Sequence, residues 1–277
     1  MRTLLLSACA LGVCCALGLQ GIGPTRPPDV TFFVASDSHF GAVGMEPLNR
    51  EVVRQLNAMP GAAYPPAIGG TVEEPRGVLF LGDMTDSGLD DQWHQFQRIF
   101  GLTGHDALLR FPVFEALGNH DLTGPSRIAE YITARHGSTH YSWDWGDVHL
   151  VCLGMHPDAE NVSWLKHDLA RLGRSQPVVV FFHYSLDGPY SDFWEDEEKD
   201  ALARALVGSN ILAIFHGHYH RAGHYVWRGH DVFRPGAPRH SSHVFLVARV
   251  TPTQIQVAYR DFDAQAWTDT VVRAIHR

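Results

Sequence analysis

Beyond its first fifteen residues the chain has one cysteine, Cys152; the other three, Cys9, Cys14 and Cys15, sit at the amino terminus. A body with one thiol closes no intramolecular disulfide. Cys152 lies in the apolar run Val148 to Leu153 and reads as a small buried hydrophobe, not a nucleophile. Lysine is also scarce, limited to Lys166 and Lys199, and the net charge is -8. That balance lacks the basic footprint of a nucleic-acid or anionic-membrane surface. After the amino-terminal segment no apolar run approaches the roughly 20 residues of a bilayer-spanning helix, so no transmembrane span is expected in the mature form. No composition shift, repeat or disordered signature divides the body.

What is present is ordinary soluble-protein material: 277 residues, 45% hydrophobic and 19% charged, with 18 histidines that make bound metal worth testing. Met1-Arg2-Thr3, the apolar stretch Leu4 to Leu19 and Gly21-Ile22-Gly23-Pro24 have the three-part layout of an export signal. Residues 1–23 are therefore expected to be a signal segment, and 24–277 a single domain. Ala16-Leu17-Gly18 offers a cleavage site, while Leu6-Ser7-Ala8-Cys9 resembles a lipoprotein box. The expected location is periplasmic or secreted, with a lipid anchor if Cys9 is processed.

Short apolar runs without helical spacing, each stopping at a polar loop, predict buried strands at Val30 to Ala35, Gly77 to Leu81, Phe111 to Leu117, Pro177 to Phe182 and Ile211 to Phe215. Helical spacing marks Met45 to Met59, Asp90 to Phe100, about Pro125 to Arg135, Asn161 to Leu172 and Glu195 to Val207. His140 to Leu153 reads as a hairpin about Gly146-Asp147. His224 to Phe233, His243 to Val250, Ile255 to Phe262 and Trp267 to Ile275 read as a β-meander. The expected fold class is α/β: a four-layer α/β/β/α sandwich, two mixed β-sheets packed face to face with helices on the outside.

Five of the strands end in residues able to bind a hard or borderline cation: Asp37 and His39, Asp83, Asn119, His183, then His218 and His220. Imidazole, carboxylate and amide oxygen suit iron, manganese or zinc, whereas structural zinc usually recruits thiolates. In Asp37-Ser38-His39 and His218-Tyr219-His220 the paired groups are two apart, so extended backbone would point them the same way.

In order, the chain carries Asp37-x-His39, Gly82-Asp83-x-x-Asp86, Gly118-Asn119-His120-Asp121, His183 and Gly217-His218-x-His220. This series resembles the calcineurin-like metallophosphoesterases. Each block is weak alone and the full series is specific. The resemblance implies two divalent or trivalent metal ions (Fe, Mn or Zn). One would be bound by Asp37, His39, Asp83 and His220, the other by Asp83, Asn119, His183 and His218, with Asp83 bridging. It implies a metal-dependent phosphatase or phosphodiesterase acting on a small anionic phosphoester, with a hydroxide between cations about 3.5–4 Å apart as nucleophile. His120 would give a proton to the leaving oxygen or bind the phosphoryl group. Asp86 would orient it, with Asp121 a second candidate.

Purple acid phosphatases carry tyrosine where this chain has Asp86 and lack a histidine matching His39, which argues against an iron-tyrosinate centre. Protein Ser/Thr phosphatases place arginine where Ser87 stands, so one phosphate-binding cation is expected to be missing. The block Gly82 to Gly88 looks most like small bacterial phosphodiesterases. After His183, the residues Tyr184, Asp187 and Trp194, with Tyr190 and Phe193, are candidates for substrate contact, or for packing of their own loop. His156 and Asp158 are weaker candidates, His216 a core or supporting residue, and His240 and His243 loop residues. The alternatives are an inactive binding module on the same fold and a nucleotide-cleaving phosphodiesterase or nuclease.

Overall fold

The computed structural model describes residues 29–275; residues 1–23, read above as a signal segment, and their cysteines lie outside them. The first sheet is built on β1 (Val30–Ala35), β2 (Val78–Phe80) and β3 (Val113–Glu115), all parallel, and is completed by β10 (Val244–Val250), β11 (Gln254–Asp261) and β12 (Ala266–Ala274). Its order is β12-β11-β10-β1-β2-β3, with β10 antiparallel to β1. The second sheet comprises β4 (Tyr141–Trp145), β5 (Val148–Cys152), β6 (Pro177–Phe182), β7 (Asn210–His216), β8 (Gly223–Trp227) and β9 (His230–Arg234), in the order β4-β5-β6-β7-β9-β8. Both sheets are mixed, as expected for the sandwich.

Alternation along the strands of the second sheet sorts its side chains into two layers. Val151, Val178, Val180, Phe182, Ile214 and Val232 pack on α4 (Ala159–Leu169) and α5 (Asp196–Leu206). Leu150, Cys152, Val179, Phe181, Phe215 and Phe233 face the other sheet, where Phe32 meets Phe215 edge-on at 6.0 Å. Cys152 is fully buried there, and burial pushes its thiol well above its usual range. Outside the first sheet lie α1 (Met45–Ala58) and α2 (Asp90–Ile99). On α2, Trp93, Phe96 and Ile99 fall at helical intervals, and Phe80 packs on Phe96 at 5.0 Å. Asp158 caps α4 by accepting the Asn161 N–H at 2.8 Å, which gives that residue a structural use. Glu195 and Glu198 close a capping box on α5.

Two expectations change. Pro125 precedes α3 (Ile128–His136) instead of opening it, because the Ser126 hydroxyl accepts the Ile128 N–H at 3.2 Å. The expected four-member meander is divided between sheets: β10, β11 and β12 form it, while His224 to Phe233 folds into the hairpin β8–β9 of the other sheet. Arg228 and Gly229, both at positive φ (48° and 88°), make the tight turn that sequence spacing did not flag.

Candidate metal centre

The loops after β1, β2 and β3 and those after β6 and β7 meet at one edge of the sandwich, the carboxyl-terminal side of the parallel strands. Beyond β1 and β2 the two chains stay zipped: Asp37 N–H donates to Gly82 O, and His39 N–H to Asp83 O, both at 3.0 Å. The donors are not on extended backbone. Asp37, His39, Asp83, His218 and His220 have φ of 58°, 43°, 52°, 70° and 53°. Left-handed geometry is costly for residues with a Cβ and collects where the surroundings over-determine it. The side chains converge because the backbone coils, not because alternate strand residues share a face.

Asp37, His39, Asp83 and His220 offer ligand atoms within 4.8 Å of one another, and so do Asp83, His183 and His218. His39 Nε2 is 3.0 Å from His220 Nε2, and His220 Nε2 is 3.1 Å from Asp37 Oδ1. Asn119 Oδ1 is 3.0 Å from His183 Nε2. The Asp37 carboxylate also accepts the His218 N–H at 3.1 Å, tying the two sheets together at the site.

Proton bookkeeping shows that a cation fits here. His183 Nδ1 lies 2.7 Å from Leu81 O; a carbonyl only accepts, so Nδ1 carries a hydrogen. For a neutral ring, the Nε2 lone pair then faces two oxygens, Asn119 Oδ1 and Asp83 Oδ2, the latter at 3.3 Å. His218 Nε2 is buried with no hydrogen-bond partner, a costly state unless something binds it. Without a metal the charges respond as expected. Burial would lower the His183 pKa, but Asp83 outweighs it and raises it to about 9. Burial pushes His39 down to about 4, and burial with His183 pushes His218 down to about 4. Burial works against Asp37 ionising, yet His220 beside it holds its carboxyl far below the carboxylate range.

Two glycines are needed for space. A Cβ on Gly118 would lie 2.1 Å from Asp83 Oδ1, and one on Gly217 would lie 2.1 Å from Ser36 Oγ. The Gly118 side is left open for the Asp83 carboxylate, whose Oδ1 accepts the His120 N–H at 2.9 Å. Asp121 is fully buried and accepts from Thr85 N and Thr85 Oγ1 at 2.9 Å and from Gly118 N at 3.0 Å. It thus ties the Asp83 loop to the Asn119 loop instead of orienting His120. Burial, reinforced by Asp83, pushes its pKa up to about 7.

The calcineurin-like phosphoesterase family profile matches residues 30–222. The chain belongs to that family. Purple acid phosphatase 15 of Arabidopsis thaliana is 28% identical over 150 residues, 47% of this chain and 27% of the relative. The chain therefore spans only about a quarter of that protein's length. Among solved structures, a dimetal phosphatase from Danio rerio superposes with a TM-score of 0.66 at 14% identity, covering 89% of this chain and 99% of the other. Purple acid phosphatase PPD1 from yellow lupin (Lupinus luteus) gives 0.59 at 12% identity over 90% of this chain and 54% of the other. At these identities the structural likeness is one of fold. The sequence relatives found are purple acid phosphatases and lend no specific support to the likeness of the Gly82 to Gly88 block to small bacterial phosphodiesterases.

In this calcineurin-like phosphoesterase, His120 lies beside His39, ring centroids 4.6 Å apart. Its Nδ1–H donates to the backbone carbonyl of Asp86 at 2.7 Å, while the Asp86 carboxylate is 3.9 Å away. Asp86 Oδ1 instead lies 3.4 Å from His39 Nδ1 and accepts from Arg239 Nη1 at 2.8 Å. Arg239 is a cation at the site that sequence reasoning missed. It belongs to no family block, lies beyond the matched residues and meets Asp86 across 153 positions.

A cavity of about 300 Å³ opens on Asp83, Asn119, His120, His218 and His220, walled by Tyr190, Phe193, Tyr219 and His240. Trp194, 4% exposed, packs on Phe182 and donates Nε1–H to Ser185 O at 2.8 Å. Tyr184, 7% exposed, lies behind His218 with ring centroids 4.9 Å apart. Asp187 is exposed and accepts the Gly188 N–H at 2.7 Å. None of those three lines the cavity. His240, read as a loop residue, packs on His220 at 5.2 Å. His216 is buried and bonded to Tyr225 Oη at 2.8 Å, a supporting position. His243 pairs with Asp263, and His156 stacks on Tyr184.

Proposed function

We propose that the protein is a dinuclear-metal hydrolase of small phosphoric esters, monoesters or diesters. A shared oxygen carries the reading: Asp83 Oδ2 is 3.7 Å from His39 Nε2 and 3.3 Å from His183 Nε2, so it belongs to both donor groups. Asp37, His39, Asp83 and His220 would hold one cation, and Asp83, Asn119, His183 and His218 the other. These nitrogen and oxygen donors suit iron, manganese or zinc. Such cations would neutralise phosphoryl oxygens and make water a usable nucleophile near neutral pH.

The remaining work falls to side chains. With Nδ1 committed to the Asp86 carbonyl, His120 exchanges protons through Nε2. As imidazolium it gives that proton to the departing alkoxide, which leaves badly otherwise. Arg239 Nη1 lies 3.3 Å from His39 Nδ1 and donates to Asp86 Oδ1 at 2.8 Å, and Asp86 Oδ1 is 3.4 Å from the same ring nitrogen, so guanidinium and carboxylate together position the His39 ring whose Nε2 faces the cluster. A cavity of about 300 Å³ and a net charge of -8 favour a small anion over a nucleic-acid chain. All seven donor side chains are present, which favours a working site over a binding module on the same fold.

Within the family we keep the small bacterial phosphodiesterases as the subgroup, on Asp86 in place of tyrosine; an intense tyrosinate band from the iron-loaded protein would overturn it. The deciding experiment combines metal analysis, chelation and metal re-addition with a panel of phosphomonoesters and cyclic and linear diesters. Two metals per chain and metal-dependent hydrolysis are expected. Full activity after verified metal removal would overturn the proposal. Export of the chain is part of it, tested by amino-terminal sequencing of the secreted or periplasmic protein. No helix among the described residues is long and apolar enough to cross a membrane.

A further inference from the structure

The aromatic residues after His183 divide into two sets. Tyr184 and Trp194 are buried and pack the loop, yet Tyr190 and Phe193 are 52% and 48% exposed on the cavity wall. Core packing accounts for the first pair and not for the second. Tyr190 is at φ 65°, a left-handed position that a tyrosine occupies at a cost, at the start of a single helical turn, Ser191–Phe193. The Tyr190 and Phe193 rings meet at 6.1 Å, and each packs edge-on against His218, at 5.6 Å and 4.5 Å. Tyr219 extends the wall 5.9 Å from Tyr190 and is backed by the Arg234 guanidinium 4.5 Å from its ring. His240 and His220 complete the lining. The wall is therefore a partly exposed aromatic surface held in place beside the donor cluster.

A cavity of about 300 Å³ is at the small end of ligand sites. It suits a phosphoryl group with one ring-sized substituent, not a polymer. Flat π-faces select planar partners over saturated ones of the same size, because the ring quadrupoles add to the area buried.

We propose that the substrate is a phosphoester bearing a planar aromatic group, which packs on Tyr190, Phe193 and Tyr219 while the phosphoryl group faces the metal cluster. This rests on the hydrolase reading above. It makes Tyr190 and Phe193 specificity-determining residues.

The test compares 2-phenylethyl phosphate with 2-cyclohexylethyl phosphate, which have leaving alcohols of similar acidity and differ mainly in ring planarity. The corresponding non-hydrolysable phosphonates are measured by calorimetry on the metal-loaded protein. The phenyl ester is expected to be favoured about two- to tenfold in kcat/KM, the range of an aromatic pair beyond its area. The phenyl phosphonate should bind tighter by a similar factor. Phe193→Leu and Tyr190→Leu, which keep apolar bulk without a π-face, should each lower both ratios. Equal binding of the two phosphonates by the wild-type protein, or ratios untouched by both substitutions, would overturn the inference. If neither ester is hydrolysed with any metal but the phenyl phosphonate still binds tighter and the preference falls in the variants, the aromatic subsite stands and the hydrolase reading falls.

Discussion

Two clusters of imidazole and carboxylate, each with a buried histidine, can be set side by side in this molecule. In one, His149 of β5 lies between Asp144 Oδ1 at 2.7 Å and Asp168 Oδ2 at 2.8 Å, and Asp168 also accepts from Ser142 and Arg171. Both ring nitrogens have partners, and both carboxylates sit on or beside regular strand and helix. In the other, the Asp83 cluster, His218 Nε2 has no partner, a neutral His183 would turn its lone pair on oxygens, and five donors have positive φ. The residue types are the same. What separates a structural ion cluster from a ligand site is unmet valence held in place by strained backbone.

The contrast predicts the largest effect at the shared oxygen. Asp83→Ala should lose both metals and abolish turnover, while His149→Gln should keep metal content and activity; elemental analysis beside a phosphoester assay reads both. Retained stoichiometry in the Asp83 variant would erase the distinction. His120→Ala should keep the metals and lose about 10²- to 10⁴-fold in kcat on alkyl phosphates. The loss should shrink on aryl esters whose leaving groups need no proton, which a leaving-group series of rates would reveal.

Asp86→Asn should weaken metal binding about 10- to 100-fold, the usual cost of removing a partner behind a ligand histidine. Competition titration with a chelator measures it, and an unchanged affinity would mean that Asp86 does not act through His39. The smallest effect belongs to the satisfied cluster. His149→Gln should cost about 1–3 kcal/mol of stability by leaving a buried carboxylate short of a partner.

Its pH dependence has a definite sign. Burial lowers the His149 pKa, but Asp168 and Asp144 outweigh it and the net shift is upward; burial raises that of Asp168, but His149 outweighs it and the net shift is downward. The histidine contribution is whole below the ordinary imidazole value near 6.5 and fades as pH rises through the raised folded value. The aspartate contribution is present above its ordinary value of 3.8 and is lost on acidification below that. The wild-type advantage over His149→Gln should therefore peak between those two ordinary values and shrink on the alkaline side. Urea denaturation at mildly acidic and alkaline pH checks it, and a gap that widens with alkalinity would contradict the arrangement.

The sequence by itself determined the sandwich, its helices and the blocks whose seven candidate donors the structure brings together. Burial periodicity and strand-end motifs are written in contiguous residues, and family blocks such as Gly118 to His120 carry their spacing with them. The same local record could not decide which aromatic residues after His183 face outward. Trp194 is held inside by Phe182 and Ser185, while Tyr190 and Phe193 are left on the wall against His218, which the loop after β7 brings beside them. Nor could it show that Asp86 and Arg239 meet beside His39, because they are 153 positions apart in the chain. Spacing encodes what neighbouring residues do to one another. The left-handed turns, the space that Gly118 leaves for Asp83 and the added cation exist only once distant loops are pressed together.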